Sequence, residues 1–202
     1  MPNHSQIFML LFLMLGPFKI LGPFERITRN ADPILLRKIA FRAIGYSILA
    51  LILAAVLGES ILRKYDIPVP ILALSGGLIL ILVALLNIVH QAAPTVMNEE
   101  TARIPSLASA MSPLAFPIIV TPYGIAAVIV FVALGPDLNS KLVVMAMVVG
   151  IMVLNLIVML FARYVYKYLA TVLAILGSIL AIIQVALGAK IIYNSIKALL
   201  AL

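Results

Sequence analysis

The sequence predicts an all-α integral membrane protein with six transmembrane segments, arranged as a 3+3 inverted repeat whose segments one and four are broken by Gly and Pro. Three observations carry this. Hydrophobic residues make up 65% of the 202-residue chain and charged residues 10%, against roughly 45–50% and about 25% in soluble proteins. Six stretches approach the ~20 apolar residues that a spanning helix requires. The stretches that hold proline inside their apolar cores are the first and the fourth.

The six stretches are residues 7–24, 41–57, 69–89, 107–134, 142–162 and 169–192. They are apolar on all sides, which argues for helices in lipid, and none alternates as a membrane barrel strand does. The first carries Gly16–Pro17 and Gly22–Pro23, with Lys19 between them. The uninterrupted part before Gly16 is too short to cross a bilayer. The fourth carries Pro113, Pro117 and Pro122, with Gly124 behind them. Proline lacks a backbone donor and clashes with the carbonyl four residues back, so this run cannot form a regular helix. Each broken segment opens a set of three spans, and an odd number per half inverts the second half. The chain then reads as one transmembrane domain, residues 1–202, holding two three-helix repeats at 5–90 and 107–198. Leu74–Ser75–Gly76–Gly77 and Ile175–Leu176–Gly177–Ser178 stand at similar places in the two halves. The first six residues lack the positive region of a signal peptide, so the first run is read as part of the mature protein.

The net charge is +7, and the position of the charges gives it meaning. Lys and Arg lie between the apolar runs, with no basic stripe interleaved with aromatics, which excludes nucleic acid as a partner. Linkers after segments one, three and five hold Arg26, Arg29, Arg37, Lys38, Arg42, Arg103, Arg163 and Lys167. The other side holds Arg63, Lys64, Lys141 and Lys197. The excess places the odd linkers in the cytoplasm and both termini outside.

All seven acids, Glu25, Asp32, Glu59, Asp66, Glu99, Glu100 and Asp137, lie in linkers or at segment ends. A proton relay or cation site built on a mid-membrane carboxylate is not expected. There is no cysteine, and the two histidines, His4 and His90, lie apart, His90 at a membrane boundary. No metal cluster, no nucleophile triad and no phosphate loop can be assembled, so neither an enzyme nor a cofactor is expected. Lys19 is the anomaly: it either snorkels to the interface or attracts a substrate carboxylate. Lys190, near the end of the last segment, snorkels. Among the uncharged polar residues inside segments, Ser75, Asn87, Asn155, Ser178 and Gln184 read as inter-helix packing groups, while Ser112 and Thr121 flank the prolines. Ala170, Ala174 and Ser178 form a close-packing face.

The run Ser112–Pro113–Leu114–Ala115–Phe116–Pro117–Ile118–Ile119–Val120–Thr121–Pro122–Tyr123–Gly124–Ile125 resembles the P-L-A-x-P-x-x-x-G-P-G-x-I signature of the MarC family. Gly58–Glu59–Ser60–Ile61–Leu62–Arg63 and Ser75–Gly76–Gly77–Leu78–Ile79–Leu80 resemble further segments of that family in the same order, so the likeness covers nearly the whole chain. It implies a small bacterial or archaeal multi-pass protein of the cell membrane, in a family that includes small neutral amino acid transporters. The first broken segment of that family reads D/N-P-x-G-x-x-P-x-F. Here Gly16, Lys19 and a displaced Pro23 depart from it, and in the fourth segment Thr121 and Tyr123 stand where glycines are usual. These positions would line the site, so the resemblance implies the scaffold more than the substrate.

The reading is a secondary transporter of small polar solutes, with neutral amino acids the class the resemblance suggests. Its expected partners are the lipid bilayer and the solute. The expected substrate-binding residues are Gly16, Pro17, Lys19, Ser112, Pro113, Pro117, Thr121, Pro122, Tyr123 and Gly124, because interrupted helices bare backbone groups near the midplane. A channel would need more polar residues per segment. A membrane chaperone would need larger linkers.

Overall fold

A computed structural model describes residues 4–92 and 105–200. Its regular elements among these residues are helical: α1 (His4–Leu15), α2 (Leu21–Thr28), α3 (Pro33–Lys64), α4 (Val69–Ala92), α5 (Pro122–Ala133), α6 (Leu138–Leu160) and α7 (Ala162–Leu200), with shorter helical turns between. Among the described residues, five stretches are long and apolar enough to cross a membrane: His4–Thr28, Pro33–Lys64, Val69–Leu86, Leu138–Leu160 and Gly177–Leu200. A sixth arises if Leu107–Ile119 and Pro122–Ala133, bent by 64° at their junction, count as one span.

Two helices outrun their apolar cores. The apolar run at 41–57 sits inside the 32-residue α3, so Arg37, Lys38 and Arg42 ride on helix rather than in a linker. The expected linker at 163–168 is likewise the first part of α7, which runs 39 residues without proline. At 1.5 Å per residue α7 is about 58 Å long, roughly twice the hydrocarbon core of a bilayer. Charge ends the membrane-compatible run, but it does not end a helix.

The starts and stops follow local chemistry. Asp32 is extended, its carboxylate accepts from the Ile34 N–H at 3.3 Å, and Pro33 fills the first helical position of α3. Asp66 ends that helix in the left-handed region, φ 48°, the Ile67 N–H returns to the Leu62 carbonyl at 2.9 Å, and Pro68 follows.

Loop contacts sort the helix ends onto two faces. The Arg163 guanidinium donates to the carbonyls of Thr28 at 3.1 Å, Arg29 at 3.5 Å and Ala31. The turns after the first and fifth segments therefore share one face. On the other face Glu59, at the end of α3, accepts from Lys141 at the start of α6, and from Arg63 at 2.7 Å.

The core gathers Leu11, Phe24, Ile39, Leu114 and Met152, all fully buried. Apolar residues such as Leu53, Val56, Leu82, Val89 and Leu142 point outward from the chain, as lipid-facing side chains must. α4 and α7 approach closely at Gly77 and Gly188, where a Cβ on either would lie within 3.0 Å of the other's carbonyl oxygen. Close packing of the last segment falls at Gly188. The side chains of Ala170, Ala174, Asn87, His90 and Lys167, and the linker with Glu99, Glu100 and Arg103, lie outside the described residues.

Candidate functional site

The site begins where α1 stops. Gly16 turns to an extended conformation, φ −74° and ψ 173°. Its N–H still donates to the Phe12 carbonyl at 2.7 Å, and any side chain would collide with that same oxygen, since a Cβ would lie 2.1 Å from it. Pro17 has no N–H to return to Leu13, and the change of direction carries the next amides out of reach of Met14 and Leu15. A helix end strips its last carbonyls of partners, and inside a membrane no bulk water replaces them.

Side chains replace them here. The Gln184 amide of α7 donates to the Leu13 carbonyl at 3.4 Å. The Lys19 ammonium folds back onto the Met14 carbonyl. The Asn155 amide of α6 donates to the Leu15 carbonyl at 2.8 Å. Three consecutive carbonyls are thus capped from three places in the chain, two of them 140 and 171 residues away. Lys19 does not snorkel outward. Its ammonium lies 3.3 Å from the Tyr123 hydroxyl and 5.1 Å from the centroid of that ring, within reach of a cation–π attraction.

The second break meets the first. Met111–Ile119 is a kinked turn with π-type closure and not a continuous helix, for Ser112 (φ −131°, ψ 126°) and Phe116 (φ −133°, ψ 130°) are extended. The Val120 N–H closes back on the Ala115 carbonyl at 2.9 Å. α5 then starts afresh: Thr121 is extended, its hydroxyl accepts from the Gly124 N–H at 3.2 Å, and Pro122 occupies the first helical position. A Cβ at Gly124 would lie 2.7 Å from Leu15 Cδ2, so the start of α5 rests directly on the end of α1.

Between them is a cavity of about 240 Å³. α1 and its terminal turn supply Phe12, Leu13, Gly16, Phe18 and Lys19, and α5 supplies Tyr123. α7 adds Gly177, Leu180, Ala181 and Gln184, spaced as one helix face. Phe18 stands edge-on to Phe12 at 5.8 Å between ring centroids, and Phe8 stacks on Phe12 at 6.0 Å, an aromatic row along α1.

Of the residues expected to bind substrate, Gly16, Lys19 and Tyr123 line the cavity. Thr121 and Gly124 are buried beside it, and Pro17 is buried in the turn that shapes it. Ser112, Pro113 and Pro117 are not among its lining residues; Ser112 and Pro117 are exposed on the kinked turn, as is Pro122 at the tip of α5. Asn155 and Gln184, read from sequence as ordinary packing groups, turn out to hold the carbonyl row. Both are amides flanked by apolar residues in the sequence, with 1% and 7% of their surface exposed, and that placement was the signal.

Replacing Asn155 with leucine keeps the volume and removes the donor. The Leu15 carbonyl is then left bare in the interior, a loss of about 1–3 kcal/mol. The Asn155 Oδ1, which has no hydrogen-bond partner among the described residues, goes too and offsets part of this. A melting temperature clearly below wild type is the expected reading, and an unchanged one contradicts the capping role.

The chain matches the family model of MarC family integral membrane proteins over residues 1–200. It is similar to a UPF0056 membrane protein of Methanocaldococcus jannaschii, 24% identical over 189 residues that cover 93% of this chain and 92% of that protein. No solved structure matches it.

Proposed function

The chain belongs to the MarC family of integral membrane proteins, and from that premise we propose that it is a secondary transporter of small polar solutes rather than an enzyme, its solute held where the two interrupted segments meet. One observation carries this reading. The cavity between α1, α5 and α7 has polar groups fixed around it by a capped row of carbonyls and by Lys19, Tyr123 and Gln184. Helix ends facing a small mid-membrane cavity are how carriers present dipoles and donors to a solute. Neutral amino acids are the class suggested by the family resemblance.

The same proposal gives the chain its inverted-repeat architecture. Segments one and four are the interrupted pair, and segments three and six contain the Gly77–Gly188 approach, so both contacts join equivalent members of two halves. Rocking of one half against the other would open the cavity alternately to the two sides. In a prokaryotic plasma membrane, the Lys and Arg excess places the turn at Asp32 in the cytoplasm and both termini outside. Single cysteines test this cleanly because the chain has none. A cysteine at Asp32 is expected to react with an impermeant thiol reagent only from the cytoplasmic side, and one at Asp137 only from outside. Reversed labelling inverts the orientation.

Purified protein in lipid vesicles tests the function itself. Saturable uptake of small metabolites that accelerates in counterflow marks a carrier. Non-saturating flux marks a pore, and no flux across a broad metabolite panel removes the transport reading.

A further inference from the structure

The charge inside the cavity narrows the solute, on the reading that this cavity is the transport site. Among the described residues, Lys19 is the one Lys or Arg side chain in its lining, and no carboxylate lines it. The ion pairs formed by acids among the described residues are Glu25 with Arg29, and Glu59 with Arg63 and Lys141, none of which involves Lys19. An ammonium inside a spanning segment, balanced only by dipoles, is costly. Here the Lys19 Nζ is set against the Met14 carbonyl and the face and hydroxyl of Tyr123, the groups that favour its charged form.

Besides the Gln184 Oε1, an acceptor, the hydrogen-bonding capacity left in the cavity is largely donor capacity. An ammonium has three N–H donors, and Lys19 spends two of them, on Met14 and Tyr123. The Tyr123 hydroxyl accepts from Lys19 and is also in hydrogen-bonding reach of the Thr121 side chain. Gln184 gives one amide hydrogen to Leu13 and has a second. The backbone carbonyls suited to a solute's own ammonium, those of Leu13, Met14 and Leu15, each already hold a donor, which leaves the Gln184 Oε1 as the side-chain acceptor of the lining. A zwitterion would bring a second cation up to Lys19. The remaining wall of Phe12, Phe18, Leu180 and Ala181 is apolar and suits a short carbon chain.

We infer that the solute taken by this cavity is a small monocarboxylate anion, its carboxylate paired with Lys19 and its carbon chain set against Phe18 and Leu180.

Three probes of nearly equal size separate charge from shape: lactate, a monoanion; lactamide, uncharged; and alanine, a zwitterion. Their saturable uptake, and their ability to raise the melting temperature, are measured on the full chain in vesicles and in detergent. The expected result is an apparent affinity for lactate at least about tenfold above the other two. Lys19→Met should abolish that preference, and Lys19→Arg should keep most of it, because the cation survives although its reach changes. A merely structural Lys19 would alter the amount of folded protein and leave the preference among probes as it was. If Lys19→Met does not fold, the wild-type comparison of lactate with lactamide still decides. Alanine or lactamide handled as well as lactate by the wild type overturns the anion assignment while leaving the carrier reading standing. Saturable uptake of none of the three also overturns the assignment, and the carrier reading falls with it only if the wider metabolite panel gives none either.

Discussion

A leucine at Gly188 is expected to be among the most damaging single substitutions in this chain, with a loss of about 3 kcal/mol and little folded protein recovered. A Cβ there would lie 2.8 Å from the Gly77 carbonyl oxygen and 2.6 Å from Ile81 Cγ1. The isoleucine can rotate away. The carbonyl cannot, because it belongs to the backbone of α4, so the two helices must separate. The contact is reciprocal: a Cβ on Gly77 would meet the Gly188 carbonyl oxygen at 3.0 Å and both Ile191 and Ile192 at 3.1 Å. In lipid, where burial of apolar surface does not drive helices together, close backbone approach is a main source of association. Gly150 on α6 supplies the control, since a Cβ there meets nothing within 4 Å. Gly150→Leu should be silent or gain up to about 1 kcal/mol from helix propensity. Melting temperature and folded yield for the two variants make the comparison. Equal behaviour would mean that α4 and α7 do not approach as described.

The spans were legible in the sequence because an apolar run of about 20 residues is long enough to cross a bilayer and too apolar to face water. Their ends were less so. Arg37, Lys38 and Arg42 continue α3, and Arg163 to Lys167 begin α7, since a charged residue outside the hydrocarbon costs a helix nothing. The proline and glycine positions marked where geometry would change, and the meeting of Gly16, Lys19 and Tyr123 in one cavity follows from two such changes facing each other. Which side of the kinked turn faces inward was not legible. Rotation about that turn sends Ser112 and Pro117 outward, and spacing alone does not specify it. The caps were hidden for a different reason. Asn155 and Gln184 reach carbonyls 140 and 171 residues away, and a lone amide in an apolar helix announces a hydrogen bond without naming its partner.

The central claim, that the cavity between the interrupted segments holds the transported solute, rests on space as much as on chemistry. Gly177 lines that space from α7, and a Cβ built on it meets nothing within 4 Å. A leucine there would grow into a cavity of only about 240 Å³ without displacing any neighbour at its base. Replacing a mid-helix glycine also favours the helix by up to about 1 kcal/mol. The effects on folding and on transport should therefore part company. The decisive measurement is melting temperature together with saturable uptake per folded molecule for Gly177→Leu, in vesicles, using whichever solute the wild type carries. The account predicts a melting temperature equal to or above wild type and uptake reduced at least about tenfold, a barrier or affinity change of roughly 1.4 kcal/mol or more. Uptake per folded molecule at the wild-type level would show that the solute passes elsewhere.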